Sequence, residues 1–306
     1  MKVGYAVLYI NGTLVISKNH TLLQKSTIKD YGEFEDINVL WKNESRQIKK
    51  IQILNQVKAN CMKEWFKGCI NLTTLIDFKN LDVSDCTDFS CMFYNCQSLQ
   101  NLNELQDWNV SDGKVFADMF NMCFELKSID ALKNWNVLNG KDFSGMFANC
   151  IDLTDIDALE NWNVSNGKDF SDMFYHCKSL QNLNELLNWN VSNGTDFSGM
   201  FYLCDSLENL NGLQNWNVSN GTNFSYMFKY CESLENLNGL QNWNVSNSID
   251  FSDMFYHCKS LEEILLANTF KILTKDMFTI CNPNLKIHWK NHIYTYADLL
   301  EYEKIC

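Results

Sequence analysis

Proline and arginine are nearly absent from this chain. Pro283 is the single proline and Arg46 the single arginine in 306 residues. With so little proline, we expect the turns to be made by Asn and Gly. The formal net charge of -12 is strongly acidic. Because phosphate binding needs clustered Lys and Arg, nucleic acid is disfavoured as a partner.

Long apolar runs are lacking as well. No segment approaches the roughly 18 consecutive apolar residues of a membrane span, so membrane insertion is not expected. The N-terminal segment has no apolar stretch followed by small residues, so no export signal is expected, and the compartment stays open. Phosphate-binding glycine loops, H-E-x-x-H and nucleophile elbows are also missing. We therefore expect a protein that is not an enzyme and needs no cofactor.

The chain instead carries a repeat with a period of 27 residues. The period is visible in eight cysteines: Cys69, Cys96, Cys123, Cys150, Cys177, Cys204, Cys231 and Cys258. It recurs in the tryptophans from Trp108 to Trp243 and in the methionines from Met92 to Met254. One unit is too small to bury its own apolar residues, so neighbouring units must stack and share a continuous core.

Within one unit, four apolar residues follow a helical spacing. Phe170, Met173, Phe174 and Cys177 stand at i, i+3, i+4 and i+7, which predicts a short helix with one buried face. The preceding Asn166-Gly167 pair predicts a turn that uses positive φ.

After this predicted helix, apolar and polar residues alternate. Leu183 lies between Asn182 and Asn184, which predicts a short strand with the leucine pointing inward. One unit is thus predicted to be a turn, a short helix and a short strand.

The repeat predicts three parts of the chain. They are an N-terminal cap over residues 1–47 that contains a β-hairpin, a solenoid of about nine rungs over 48–285, and a C-terminal cap over 286–306. The hairpin is expected at Tyr5–Ser17 around Asn11-Gly12. The C-terminal cap is expected to hold a strand at Ile287–Tyr294 and a helix at Tyr296–Tyr302.

The recurring pattern W-N-V-S-N-x-x-x-F-S-x-M-F-x-x-C-x-S-L-x-x-L resembles the BspA-like leucine-rich repeat of bacterial surface and adhesion proteins. The units here are a few residues longer, with an added segment such as Leu213–Asn215. The resemblance implies an α/β repeat solenoid, a right-handed stack with a parallel β ladder on one side and short helices on the other. It also implies a binding or adhesion role at a cell surface or after secretion.

Metal binding has few candidates. His288 and His292 would suit a metal on a helix, but their surroundings favour a strand, which would hold them roughly 13 Å apart. The cluster Cys86, Cys91 and Cys96 lacks the tight C-x-x-C spacing of zinc sites. Calcium would need a D-x-D-x-D-G pattern, which the Asn-rich turns do not have. No metal is therefore predicted, and the ladder cysteines are interpreted as small apolar core residues.

The predicted binding surface is a polar stripe on the exposed strand face. It comprises Gln181, Asn182, Asn184, Glu208, Asn209, Asn211, Glu235, Asn236, Asn238 and Glu262. Since the stripe lacks aromatic anchors, a weak, multivalent contact with a protein or glycan partner is favoured. Two other interpretations stay open: a solvated face with only a structural role, and a passive spacer in a larger assembly.

Overall fold

The computed structural model describes residues 2–19, 28–35, 39–271, 273–301 and 304–305. Within this part of the chain, one hydrophobic core runs from Ala6 in the N-terminal hairpin to Leu299 near the C-terminus. The molecule is therefore a stack of rungs that share one interior, as the period predicts.

The N-terminal cap opens with three strands. They are β1 (Lys2–Tyr9), β2 (Thr13–Ser17) and β3 (Ile28–Glu35). β1 pairs antiparallel with both of the others, so the hairpin expected around Asn11-Gly12 is present. Gly12 has a φ of 84°, a conformation that glycine adopts without steric cost.

The cap joins the solenoid through continued strand pairing. Two further strands, β4 (Lys50–Leu54) and β6 (Thr74–Ile76), extend the sheet in parallel from β2, in the order β3-β1-β2-β4-β6. A second small sheet pairs β5 (Val57–Lys58) in parallel with β7 (Leu81–Asp82). A 3-10 helix at Leu40–Gln47 buries Trp41 against the first rung.

Through the middle of the solenoid, neighbouring units are joined by a parallel ladder of single bridges. Each rung contributes one residue: Asp88, Val115, Asp142, Asp169, Asp196, Asn223 and Asp250. The predicted leucine-rich-repeat solenoid with a parallel ladder is thus confirmed.

The predicted helix at Phe170–Cys177 is wrong. This segment is a run of tight turns in which Asp172 and His176 adopt left-handed φ values of 54° and 61°. The N–H groups of Phe170, Asp172, Phe174 and His176 bond to the next rung, and those of Met173, Tyr175 and Cys177 bond three residues back. A helix would keep all these bonds within the segment, whereas here every second N–H builds the ladder.

The predicted strand at Leu183 is also wrong, because a 3-10 helix begins directly after this residue. The segment Asn184–Asn188 is that helix, and its counterparts in other rungs are Asn103–Leu105, Asp130–Leu132, Asp157–Leu159, Asn211–Leu213 and Asn238–Leu240. An earlier 3-10 turn lies at Phe78–Asn80. The parallel ladder therefore lies in the segment that was predicted to be helical, and the short helices lie where the strand was predicted.

Gly167 is required by packing rather than by positive φ. Neither Asn166 nor Gly167 has a left-handed conformation, which corrects the prediction for this turn. A Cβ atom on Gly167 would lie 2.4 Å from the ring of Phe170 and 3.0 Å from the carbonyl oxygen of Val164. The phenylalanine ring thus packs directly on the glycine backbone.

The buried polar groups of the core bond from rung to rung. Trp189 donates its indole N–H to the carbonyl of Leu159 at 2.8 Å, and Cys177 donates its thiol to that of Phe147 at 3.2 Å. The same two contacts recur through most of the stack. The ladder cysteines therefore act as hydrogen-bond donors as well as apolar core residues.

Stacked rings fill the rest of the core. Phenylalanines one rung apart stack with ring centroids 5.7 Å apart, as Phe147 and Phe174 do. Tryptophans stack at a similar spacing, for example Trp189 and Trp216 at 6.4 Å. Because each ring contacts its equivalents above and below, one rung depends on its neighbours for burial.

The C-terminal cap closes the stack. The last part of the solenoid holds β8 (Glu263–Leu265), β9 (Leu273–Thr274) and a 3-10 helix (Lys275–Phe278). The cap itself holds β10 (Lys286–Trp289), β11 (His292–Thr295), α1 (Tyr296–Glu301) and β12 (Lys304–Ile305). β10 pairs in parallel with β8 and antiparallel with β11. The single strand predicted at Ile287–Tyr294 is thus a hairpin, because Lys290 and Asn291 both have positive φ and reverse the chain. The predicted helix begins at Tyr296, while Tyr302 lies outside the described residues.

Among the described residues, none of the helices has the length and apolar content to cross a membrane.

Candidate functional site

The predicted polar stripe runs along the loop before each 3-10 helix and includes the first residue of that helix, whereas Glu262 directly precedes β8. The stripe does not lie on a strand. Neighbouring rungs meet there through the main chain, since the N–H of Glu208 bonds to the carbonyl of Gln181 and that of Glu235 bonds to the carbonyl of Glu208, both at 3.1 Å. The side chains of Gln181, Glu208, Glu235 and Glu262 are exposed. The structure thus brings the predicted residues together in a row.

The asparagines of the stripe have different roles. Asn182 and its equivalents Asn209 and Asn236 are half-buried, and each accepts a hydrogen bond from the main-chain N–H two residues later, at 3.1–3.2 Å. They fix the start of each 3-10 helix. The exposed Asn184, Asn211 and Asn238 are the donors of these bonds. Part of the stripe therefore has a structural role, and its binding role stays a prediction.

One end of the stripe borders a shallow depression of about 700 Å³. Glu235, Asn236 and Glu262 line it together with Lys259, Ser260, Glu263 and Asn282. His288 of the C-terminal cap contacts the carboxylate of Glu263 at 2.6 Å.

The metal candidates are not assembled into a site. Cys86 and Cys96 are buried and donate to the carbonyls of Ala59 and Phe66, while Cys91 is half-buried. In the part of the chain that the structure describes, no three His, Cys, Asp or Glu residues are grouped so that they could hold a metal ion.

A second surface, on the turns that carry the ladder, was not predicted from the sequence. It holds five tyrosines: Tyr175, Tyr202, Tyr226, Tyr230 and Tyr256. Their ring centroids lie 5.1 to 6.5 Å apart along the chain of contacts. We call these five residues the tyrosine patch. Tyr226 is the most open of them, with 42% of its surface exposed.

Lys229 lies among the rings of the patch. Its ammonium nitrogen is 4.4 Å from the ring centroid of Tyr256 and 5.0 Å from that of Tyr226. The same nitrogen forms an ion pair of 2.6 Å with Asp253. Burial lowers the pKa of Lys229, but the hydrogen bond and the charge of Asp253 outweigh that effect, so the pKa is raised. The lysine is therefore held in its charged form by one carboxylate and several aromatic faces.

At the edge of the patch lies a depression of about 330 Å³ that Gly199 lines. The rings of Tyr175, Tyr202 and Tyr226 line it, together with the carboxylate of Asp172. Gly199 has a φ of 60°, at a position where other rungs carry Glu, Cys, Asp, Gly or Tyr. We call this depression the Gly199 groove.

The carboxyl group of Asp172 has a raised pKa, although part of this residue is exposed. Partial burial, followed by the charges of Asp196, Asp118 and Asp169, raises its pKa to about 6. An acidic group with a raised pKa in a groove marks a place where a positive charge would be favourable.

The sequence did contain a signal for this surface. The position of Gly199 and Asp172, which has left-handed φ, is called the left-handed slot. The residues three positions after this slot are, along the rungs, Tyr94, Asn121, Ala148, Tyr175, Tyr202, Lys229 and Tyr256. The aromatic residues cluster in the later rungs. The signal was missed because a helical interpretation of the segment placed Tyr226 and Tyr230 on other faces.

The fold defines the class of protein, a leucine-rich-repeat solenoid, and solenoids of this class offer extended surfaces for interaction. The model of the family described as "Mycoplasma protein of unknown function, DUF285" matches residues 18–129, 60–182, 100–209 and 178–286. The matches span well over half of the chain, and the chain belongs to this family. The BspA-like leucine-rich-repeat character expected from the signature is confirmed.

Solved structures with a similar chain course include three bacterial proteins. A leucine-rich repeat protein from Bacteroides ovatus is 14% identical, with a TM-score of 0.41, over 97% of this chain and 80% of that one. One from Eubacterium ventriosum is 11% identical, with a TM-score of 0.36, over 94% and 96%. A leucine rich cell surface protein from Faecalibacterium prausnitzii is 14% identical, with a TM-score of 0.33, over 95% of both chains. Among curated proteins no match was found.

Proposed function

We propose that this protein is a non-enzymatic binding module that recognises a protein partner through the tyrosine patch. The observation that carries the proposal is the contiguous set of five tyrosine rings on consecutive rungs of a rigid stack. Tyrosine supplies large contact area with little loss of side-chain freedom, and it is enriched at the centres of protein interfaces.

The setting of the patch favours a role in binding. The rings lie on turns fixed by hydrogen bonds to the neighbouring rung, such as that from Phe174 to Met200 at 2.9 Å. A surface that is already ordered loses little conformational entropy on association. The acidic net charge of -12 favours a partner with a basic surface and would speed their encounter.

The polar stripe is the competing surface, and variants can separate the two. In the patch variant, Tyr175→Asn, Tyr202→Asn and Tyr226→Gly introduce residues that occur at the equivalent positions of other rungs. In the stripe variant, Glu208→Lys, Glu235→Lys and Glu262→Lys reverse three exposed charges. Both sets of changes are expected to preserve the fold, which circular dichroism checks.

The test is a screen of the wild type and both variants against arrays of purified surface proteins and glycans. We expect protein binders that the patch variant loses and the stripe variant keeps. Binders lost only by the stripe variant would place the contact on the stripe and overturn the proposal. Binding to glycans alone would overturn the choice of a protein partner, and the same empty result for all three chains would favour a passive spacer.

A further inference from the structure

The left-handed slot that Gly199 occupies holds an aspartate in three other rungs, and these aspartates differ in their partners. Asp118 accepts a hydrogen bond of 2.7 Å from Asn121, and Asp253 forms the 2.6 Å ion pair with Lys229. For Asp172, no side-chain hydrogen bond or ion pair is found within the described part of the chain. Of the three aspartates, Asp172 lines the Gly199 groove. Its carboxylate has no counter-charge among the described residues.

The carboxylate of Asp172 forms the floor of this groove. A Cβ atom on Gly199 would lie 2.1 Å from its Oδ1 atom, so the carboxylate covers the space that a side chain would take. Gly145 has the same relation to Asp118, at 2.3 Å and with a φ of 58°. The two places differ in their neighbours, because the positions of Tyr175, Tyr202 and Tyr226 at the Gly199 groove correspond to Asn121, Ala148 and Asp172 around Gly145.

Lys229 shows that a carboxylate and tyrosine rings of this surface can together hold an ammonium group. Its ammonium group combines one carboxylate, that of Asp253, with the faces of neighbouring tyrosines. The Gly199 groove has the same two components, the carboxylate of Asp172 and tyrosine rings. It shares the rings of Tyr202 and Tyr226 with Lys229, whose ammonium nitrogen lies 5.9 and 5.0 Å from their centroids. From this match we infer that the Gly199 groove binds the ammonium group of a lysine side chain on a protein partner.

Other cations fit the groove less well. Calcium takes six to eight oxygen ligands, typically several of them carboxylates, and here Asp172 is the single carboxylate lining the groove. An ammonium group gains from one carboxylate and from aromatic faces together. The carboxylates of Asp118, Asp169 and Asp196 add a negative potential around Asp172 that attracts a cation.

The inference rests on the proposed function, since the groove lies at the edge of the tyrosine patch. It is tested with a nine-residue peptide that carries three lysines separated by glycine and serine, and with the same peptide acetylated on each lysine. Binding to the full chain is followed by calorimetry, and the contact is located by the chemical shifts of the tyrosine rings.

We expect the lysine peptide to bind the wild type and to shift the resonances of Tyr175 and Tyr202. Asp172→Asn and Tyr202→Asn should each weaken it about ten-fold, the loss expected for a cation–π and charge contact of this kind. The matched control Asp118→Asn should weaken it much less than Asp172→Asn does, because Asp118 adds only to the negative potential around the groove. The acetylated peptide should not bind. Affinity should also fall below about pH 6, where Asp172 becomes protonated.

Equal losses in Asp172→Asn and Asp118→Asn would reveal general attraction to an acidic surface and overturn the inference. Equal binding of an arginine peptide would overturn the assignment to lysine. If the patch variant loses a partner found in the screen while Asp172→Asn keeps full affinity for it, the proposed function stands and the lysine site fails. If the patch variant also keeps that partner, the proposed function itself fails.

Discussion

Trp162 donates its indole N–H to the main-chain carbonyl of Leu132 across a distance of 2.9 Å. The two residues belong to neighbouring rungs, and the same carbonyl also accepts the main-chain N–H of Trp135 at 3.0 Å. One buried oxygen therefore ties the start of one rung to the rung after it.

This contact predicts the effect of Trp162→Phe. The change removes one buried hydrogen bond and part of a stacked ring, so the free energy of unfolding should fall by about 1–3 kcal/mol. Calorimetric melting of the variant measures the loss. The exposed neighbour Glu160 provides the control, because Glu160→Gln should leave the melting temperature nearly unchanged. An unaltered melting temperature in Trp162→Phe would show that this bond does not stabilise the stack.

The buried half of the unit was predictable, because a strict period shows which positions face a shared core. The local conformation was not. Four-residue turns and a helix both place i, i+3, i+4 and i+7 on one side, so Phe170, Met173, Phe174 and Cys177 fit either. The signal that separates them is the slot of His176, which holds Asn95, Asn149 and Gly68 in other rungs. Asn and Gly tolerate left-handed φ, which a helix does not use.

The candidate site was less predictable for the same reason. Tyr226 and Tyr230 lie in two left-handed slots, whereas Tyr175 and Tyr202 occupy the position between those slots. Their approach depends on the turn geometry and on the pairing of rungs, neither of which follows from the period alone. The stripe of Asn and Glu could be found because it needs only the register of the repeat.

Mutations in the stripe should affect stability differently, depending on whether the side chain makes a hydrogen bond. Asn209 accepts the N–H of Asn211 at 3.2 Å, so Asn209→Ala should lower the stability by about 1 kcal/mol. Glu208 is exposed, and Glu208→Ala should change the free energy of unfolding by less than about 0.5 kcal/mol. Chemical denaturation of the two variants gives the comparison. Equal effects would show that the Asn209 bond does not contribute.

The cysteines should differ sharply in reactivity. Burial raises the pKa of Cys177 to about 12, so only about one thiol in ten thousand is ionised at pH 8. Among the twelve cysteines in the described residues, Cys61 and Cys91 alone are not fully buried. Iodoacetamide at pH 8 should therefore label these two in the folded chain and leave the ladder cysteines intact, as mass spectrometry reports. After unfolding, all thirteen cysteines of the sequence should react. Fast labelling of Cys177 in the folded state, or far fewer than thirteen reactive thiols after unfolding, would contradict this account.

The raised pKa of Asp172 predicts a pH-dependent stability with an unusual sign. Its pKa is about 6 in the folded chain, against 3.8 for an ordinary aspartate. Between these values the folded state holds a proton that the unfolded state has lost, so this residue makes stability fall as pH rises through the window. Below about pH 4 both states are protonated and the penalty is absent, while above about pH 6 both are ionised and it is constant.

Asp172→Asn removes the ionised form and with it the penalty. The melting temperature of the variant minus that of the wild type should therefore be small at pH 4, increase up to about pH 6.5 and then level off. Asp118→Asn is the matched control, because it keeps an oxygen that can accept from Asn121 and removes only one of several charges that act on Asp172. Its gain in melting temperature should therefore be much smaller than that of Asp172→Asn. A melting temperature of Asp172→Asn below that of the wild type at pH 7 would mean that Asp172 is stabilised by contacts in the folded chain. The Gly199 groove would then lack the unbalanced charge that a lysine is expected to neutralise.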